Sequence, residues 1–223
     1  MNNEEVLIPQ MTRIDKYKRH KIKIPFSNLV FICAAILLYI CSTFININIK
    51  HYILPAEIFS SANLAPEDFI YSFCLIPQIP VIMFVASVLG RGMTTTSLFI
   101  YILLGLCGFP FFALGGGFHY IGQFGFGYIL GYLPAVAIAC KFLQEKYSFP
   151  NMIKAAICGV LTIHLIGIFY MIIVALFRHA GGAFIGGWIA SQSGLKIIYD
   201  TIGSFVFILI GKYLNEGLRY ISR

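Results

Sequence analysis

Residues 153–177 read IKAAICGVLTIHLIGIFYMIIVALF, and this stretch decides the fold. It carries one formally charged residue, Lys154, near its start. A helix needs about 20 consecutive apolar residues to cross the roughly 30 Å apolar core of a bilayer. The stretch is long enough for this, so it predicts a transmembrane helix.

Five further apolar runs surround this stretch, and short polar or glycine-rich segments separate them. They cover residues 29–47, 70–89, 97–113, 121–140 and 197–214. Only 11% of the chain is charged, against roughly 25% in soluble domains. We therefore predict an all-α, polytopic integral membrane protein that folds as a six-helix transmembrane bundle. Residues 1–25 would form a basic cytoplasmic tail, residues 26–216 a single membrane domain, and residues 217–223 a short cytoplasmic tail.

The basic residues are distributed unequally between the two ends of the predicted helices. With six crossings and a cytoplasmic N-terminus, 13 of the 16 Lys and Arg residues lie inside, and Lys50, Arg178 and Lys196 lie outside. Cytoplasmic loops are enriched in Lys and Arg, so we expect both termini in the cytoplasm and a multi-pass protein of the cell (inner) membrane. The net charge of +7 comes without a basic stripe interleaved with aromatic residues. We therefore expect no nucleic acid partner.

Asp200 is the first candidate for a binding residue, because it lies inside the sixth apolar run. A carboxylate in the membrane interior is costly, and it usually faces the bundle interior and binds something. Lys196 lies one helical turn earlier on the same face. The two residues either form a local ion pair that lowers the cost of insertion, or belong to a ligand site reached from outside. We favour the ligand site.

The segment GFPFFALGGGFHYIG, residues 108–122, is the second candidate. Gly116 and Gly117 permit close backbone approach and positive φ angles. The segment therefore either caps a cavity or simply connects two helices. Nearby tyrosines either line a pocket or anchor the helices at the membrane interface; these are Tyr101, Tyr120, Tyr128 and Tyr132.

Three other features of the sequence bear on its structure and function. The glycine-rich residues 181–188 predict a re-entrant loop or a membrane-surface segment, with Trp188 at the headgroup level. His164 has no second histidine or cysteine at ligand spacing, so we expect a packed side chain with a single hydrogen bond. The chain contains no H-E-x-x-H, G-x-S-x-G or P-loop motif. We predict no enzyme activity, no cofactor and no metal site.

The stretch from Pro77 to Tyr132 resembles the BioY family, the biotin-binding membrane subunits (S components) of energy-coupling-factor transporters. The matching elements are Gln78, Leu89-Gly90, residues 104–110, the three glycines 115–117 and GYILGY at 127–132. Asp200 matches the aspartate of the family's Gly-Asp-x-x-Lys element. Gly203 stands at the lysine position, and Lys196 is the nearest cation on the same helical face.

This resemblance implies biotin uptake by a high-affinity substrate-binding membrane subunit or carrier. It implies biotin as ligand, the lipid bilayer as surroundings, and a transmembrane coupling subunit with ATPase subunits as partners. The substrate-binding residues would be Asp200, Lys196, Gln78, Gly116, Gly117 and Tyr128. Two alternatives stay open, namely a carrier for another small vitamin or metabolite on the same scaffold, and a non-transporting membrane scaffold or maturation factor.

Overall fold

The computed structural model describes residues 26–52, 65–145 and 148–221. The basic tail predicted for residues 1–25 lies outside the described residues. Most of the described chain is helical, and two short 3-10 helices cover Pro66–Phe69 and Phe118–Gly122. The α-helices are α1 Phe26–Thr43, α2 Gln78–Leu106, α3 Phe126–Glu145, α4 Phe149–Phe177, α5 Gly182–Ser193 and α6 Lys196–Ile221.

Helix α2 is folded back on itself at Gly90. The φ of Gly90 is 72° and its ψ is 179°, a conformation that glycine adopts without the steric penalty of a Cβ. Gln78 and Tyr101 lie 23 residues apart, yet Gln78 Nε2 is 2.8 Å from Tyr101 Oη. A straight helix would separate them by roughly 34 Å at 1.5 Å per residue. Residues 78–89 and 91–106 therefore form two antiparallel arms, and the loop predicted for residues 90–96 shrinks to Gly90.

The all-α prediction is wrong for two short segments. Strands β1 (Ile47–Tyr52) and β2 (Ile70–Leu75) pair antiparallel, with Ile47 opposite Leu75 and Tyr52 opposite Ile70. The second apolar run therefore begins as a strand, and its helix starts only at Gln78. Pro77 contributes to this late start, because the residue before a proline is sterically biased towards extended backbone.

Helices α3 and α4 form the most extensive helix contact of the described chain, and glycines allow it. A Cβ on Gly131 would lie 3.0 Å from Ile163 Cα, and a Cβ on Gly127 would lie 2.3 Å from Tyr170 Cβ. Small residues four apart on one helix let a neighbouring backbone approach closely. The pair Gly127 and Gly131 therefore packs the bundle.

The described residues include five helical stretches that are long and apolar enough to cross a membrane. The second of these is the folded-back helix α2. The last one spans residues 182–217 and is broken at Gly194, so it contains both α5 and α6. Helix α5 thus occupies the segment that we predicted to be a re-entrant loop or a membrane-surface segment. Helix α6 continues to Ile221, past the domain boundary predicted at residue 216.

The β-hairpin lies against the N-terminal end of α6. Tyr199 Oη is 2.6 Å from His51 Nε2 in β1, and the ring of Phe73 in β2 meets the ring of Tyr199 edge-on. The hairpin, the start of α2, the loop before α3, α5 and the start of α6 all lie at one end of the bundle. We call this the loop end, and the opposite end with the Gly90 turn the turn end.

Candidate ligand-binding cavity

A cavity of about 340 Å³ lies at the loop end, between α2, α3, α4 and α5. Its size falls in the usual range of small-molecule sites, about 300–1,000 Å³. The four tyrosines that the sequence singled out, Tyr101, Tyr120, Tyr128 and Tyr132, all line it. Of the two interpretations of these residues, the pocket lining is confirmed. Burial raises the pKa of Tyr120 in the 3-10 helix, so its phenol stays uncharged near neutral pH.

Gln78 lines one wall of the cavity, at the first residue of α2. Its Oε1 accepts a hydrogen bond from Tyr132 Oη at 2.9 Å, and its Nε2 donates to Tyr101 Oη at 2.8 Å. Tyr101 Oη in turn donates to the carbonyl of Phe111 at 3.1 Å. These bonds join both arms of α2 to α3 and to the loop between α2 and α3. The orientation of the Gln78 amide is therefore fixed before any ligand binds.

A chain of hydrogen bonds connects four helices beside the cavity. Tyr128 Oη of α3 is 2.7 Å from Ser193 Oγ of α5, and Ser193 Oγ is 2.9 Å from His164 Nδ1 of α4. His164 Nε2 is 3.2 Å from Asp200 Oδ2 of α6. With a neutral imidazole, every donor in this chain points the same way, from the phenol to the carboxylate. The chain holds α5 against the other three helices.

Asp200 lies one layer behind the cavity wall, because His164 lines the cavity and stands between them. Its side chain is completely buried. Oδ1 has no hydrogen-bond partner among the described residues. The local ion pair with Lys196 is not formed, since the carboxylate pairs with His164 instead. The expectation that His164 makes a single hydrogen bond is therefore wrong, because both ring nitrogens are engaged.

Lys196 lines the cavity from the first residue of α6. It makes no salt bridge with any residue in the described part of the chain. The described lining includes no aspartate or glutamate. Lys196 is therefore the one Lys, Arg, Asp or Glu residue in the described lining of this cavity.

Trp188 of α5 lines the cavity as well, together with Gln192 one turn later. Its indole ring lies 5.4 Å from the ring of Phe124 and 6.0 Å from that of Phe184. The Nε1 atom is buried and has no acceptor among the described residues. Leaving such a donor unpaired costs about 1–3 kcal/mol. The structure places Trp188 in the lining of a ligand-sized cavity, and its position at the membrane headgroup level stays a prediction.

Gly116 and Gly117 lie in the loop between α2 and α3 and are not part of the cavity lining. Phe112, Ala113 and Leu114 of the same loop do line the cavity. A Cβ on Gly116 would lie 2.0 Å from the carbonyl oxygen of Phe109. Gly117 has φ 102°, and its amide donates to the carbonyl of Gly105 at 2.7 Å. These two glycines set the path of the loop, and any contact with substrate remains a prediction.

Three predicted site residues, Gln78, Tyr128 and Lys196, are thus brought together at one cavity. Sequence reasoning missed His164 and Ser193. One signal was available for His164, because ionisable residues within membrane segments tend to pair with one another. Ser193 offered no signal, since its role depends on how α5 packs.

Apolar helices around a mainly apolar cavity with a few polar side chains define the class, a polytopic helical membrane protein with a candidate ligand site. Residues 18–219 match the BioY family. The chain belongs to the BioY family, and the resemblance seen in the sequence is confirmed.

Two known proteins are similar to this chain. A probable biotin transporter BioY of Lysinibacillus sphaericus is 31% identical over 97 residues, which is 42% of this chain and 49% of that protein. The match thus spans about half the length of that relative. The crystal structure of the S-component for biotin from an ECF-type ABC transporter superposes with a TM-score of 0.61, at 18% identity, over 86% of this chain and 92% of that one. This similarity shows the shared fold.

Proposed function

We propose that this protein is the high-affinity substrate-binding membrane subunit, or carrier, that imports biotin. The observation that supports it best is the cavity, which lies at the loop end of a chain that belongs to the BioY family. Such a protein binds its substrate and neither forms nor breaks a covalent bond. We therefore do not consider it an enzyme.

The polar groups of the cavity complement those of biotin. Biotin presents a ureido group with two N–H donors and a carbonyl acceptor, an apolar thiophane ring with its valeryl chain, and a carboxylate. The lining offers the Gln78 amide, aromatic walls and the Lys196 cation. Ligand sites typically combine such apolar walls with a few placed polar groups that fix orientation. Asp200 would act on the ligand through His164.

We further propose six membrane crossings with both termini in the cytoplasm of a cell-membrane protein. The two arms of α2 would each cross, giving six crossings with α1, α3, α4 and α6. Among the described residues, Arg91, Lys141, Lys154 and Lys212 lie towards the turn end, and Lys50, Arg178 and Lys196 lie at the loop end. The more basic end faces the cytoplasm under the positive-inside rule, so the cavity would open to the outside.

A transmembrane coupling subunit and ATPase subunits are the partners that family membership suggests. Tagged purification in mild detergent, followed by identification of the associated proteins, tests this part. Recovery of a transport-competent chain without ATPase subunits would contradict it.

Calorimetric titration of the purified chain with biotin tests the proposed function. We expect saturable binding, with Gln78→Leu weakening it and Gln144→Leu, at an exposed position near the turn end, leaving it unchanged. Competition with other vitamins in whole-cell uptake separates biotin from another substrate on this scaffold. Absence of saturable binding to any of these ligands would support a scaffold or maturation factor instead.

A further inference from the structure

Helix α5 supplies a wall of the cavity and carries the chain's single tryptophan. We infer that Trp188 is a ligand-binding residue whose indole N–H donates a hydrogen bond to an acceptor oxygen of the substrate. The inference rests on the proposed function and extends it to a residue that was not among the substrate-binding residues predicted from the sequence.

The geometry of the ring supports this role. Trp188 lines the cavity, yet its Nε1 atom is buried and meets no acceptor in the described part of the chain. Buried polar groups in native proteins nearly always have a hydrogen-bond partner. Because Nε1 has no exposed surface in this structure, a small rotation of the indole would bring its N–H to a ligand oxygen, and such side-chain changes are common on binding. Tryptophan also combines an apolar face with one donor. It therefore suits a ligand with both an apolar ring and a carbonyl or carboxylate oxygen.

The surroundings hold the indole in place. Phe124 of the loop before α3 and Phe184 of α5 contact its ring. Arg178 lies 4.9 Å above the Phe124 ring and donates to the carbonyl of Gly122 at 2.7 Å. Ser193 at the end of α5 is bonded to both Tyr128 and His164. These contacts keep α5 and the indole ring beside the cavity, so a small movement of the ring suffices on binding.

The charge of the same wall favours an anionic ligand. Trp188, Gln192 and Lys196 follow one another at intervals of four residues, and all three line the cavity. The ammonium of Lys196 is not neutralised by a described carboxylate in the lining. Biotin has two acceptor oxygens that the indole could reach, one in the ureido group and one in the carboxylate.

Trp188→Phe keeps an aromatic ring and removes only the N–H, so it isolates the hydrogen bond. We expect biotin to bind about tenfold more weakly to this variant in calorimetry, the factor that loss of one good hydrogen bond corresponds to. Phe177→Leu is the control for replacing an aromatic residue, because Phe177 lies at the exposed end of α4 and outside the cavity lining. It should bind nearly as the parent does. In the parent protein, biotin should also change the emission of Trp188.

The neutral carboxamide of biotin, titrated in parallel, locates the bond. Because the carboxamide keeps one neutral acceptor oxygen, a clearly smaller loss with it than with biotin assigns the indole to the carboxylate, whose bond is charge-assisted. An equal loss with both ligands assigns it to the ureido carbonyl. Equal biotin affinity of Trp188→Phe and the parent, or an equally large loss in Phe177→Leu, would overturn the inference and leave the proposed function intact. Failure of the parent to bind biotin would overturn both.

Discussion

Gly167→Ala should damage the cavity although residue 167 does not line it. Gly167 lies in α4 directly beneath the ring of Tyr128. A Cβ there would lie 2.5 Å from Tyr128 Cδ1 and 2.6 Å from its Cγ. Carbon atoms pack at about 3.5–4.0 Å, so the ring would have to move by roughly 1 Å.

The cost follows from what Tyr128 would lose. Its hydroxyl is 2.7 Å from Ser193 Oγ, and a neutral hydrogen bond contributes about 0.5–1.5 kcal/mol net. Its ring meets the His164 ring edge-on at 5.6 Å, an arrangement worth about 0.5–1.5 kcal/mol. If the ligand needs this wall in place, binding has to supply about 1–3 kcal/mol to restore it. Since 1.4 kcal/mol is tenfold, affinity should fall roughly tenfold to hundredfold.

Calorimetric titration of Gly167→Ala with biotin measures this loss, and two alanine variants serve as controls. Gly159→Ala also lies in α4. Its Cβ would lie 2.7 Å from the terminal methyl of Met83, 3.2 Å from the Met83 sulfur and 3.5 Å from Ala139 Cβ, so both close contacts are to a flexible side chain that adapts. Gly187→Ala has no atom within 4 Å of its Cβ. Both should bind nearly as the parent does. Parental affinity in a well-folded Gly167→Ala protein would refute the idea that the Tyr128 wall contacts the ligand.

Three further changes test the rest of the site and the topology. Asp200→Asn should insert normally and bind biotin about tenfold more weakly, because the charge-assisted bond from His164 becomes a neutral one; unchanged affinity would contradict this. Gly116→Val places a side chain against the Phe109 carbonyl, so uptake should fall further than protein abundance. Normal uptake would show that the loop only connects two helices. In a cysteine-free background, an impermeant thiol reagent applied outside should label Ser72→Cys and not Gln144→Cys, both at exposed positions, and the opposite pattern would invert the topology.

The helices were predictable because their cause is local. An uninterrupted apolar run in a sequence this poor in charge has few alternatives to a membrane helix, and the described helices α1, α3, α4 and α6 lie largely within the runs read from the sequence. The turn between the second and third runs was also predictable from the sequence, and the single residue Gly90 forms it.

The β-hairpin was not predictable from the same pattern. Residues 70–75 are as apolar as the helix that follows, so periodicity does not separate the two in so short a stretch. Their strand forms because residues 47–52 lie alongside and complete the backbone hydrogen bonds. The cause is a tertiary pairing between segments about twenty residues apart. Helix α5 also depends on tertiary contacts, because it packs against the bundle through Ser193 and the aromatic cluster around Trp188.

The partner of Asp200 shows why the site was only partly predictable. Sequence spacing points to Lys196, which lies one turn away on the same face. Lys196 is the first residue of α6 and is only partly buried, whereas Asp200 is completely buried. A carboxylate at that depth needs a donor inside the bundle, and His164 of the neighbouring helix α4 supplies it. Because His164 satisfies the aspartate, the charge of Lys196 is left for the cavity, which supports a ligand that carries a carboxylate.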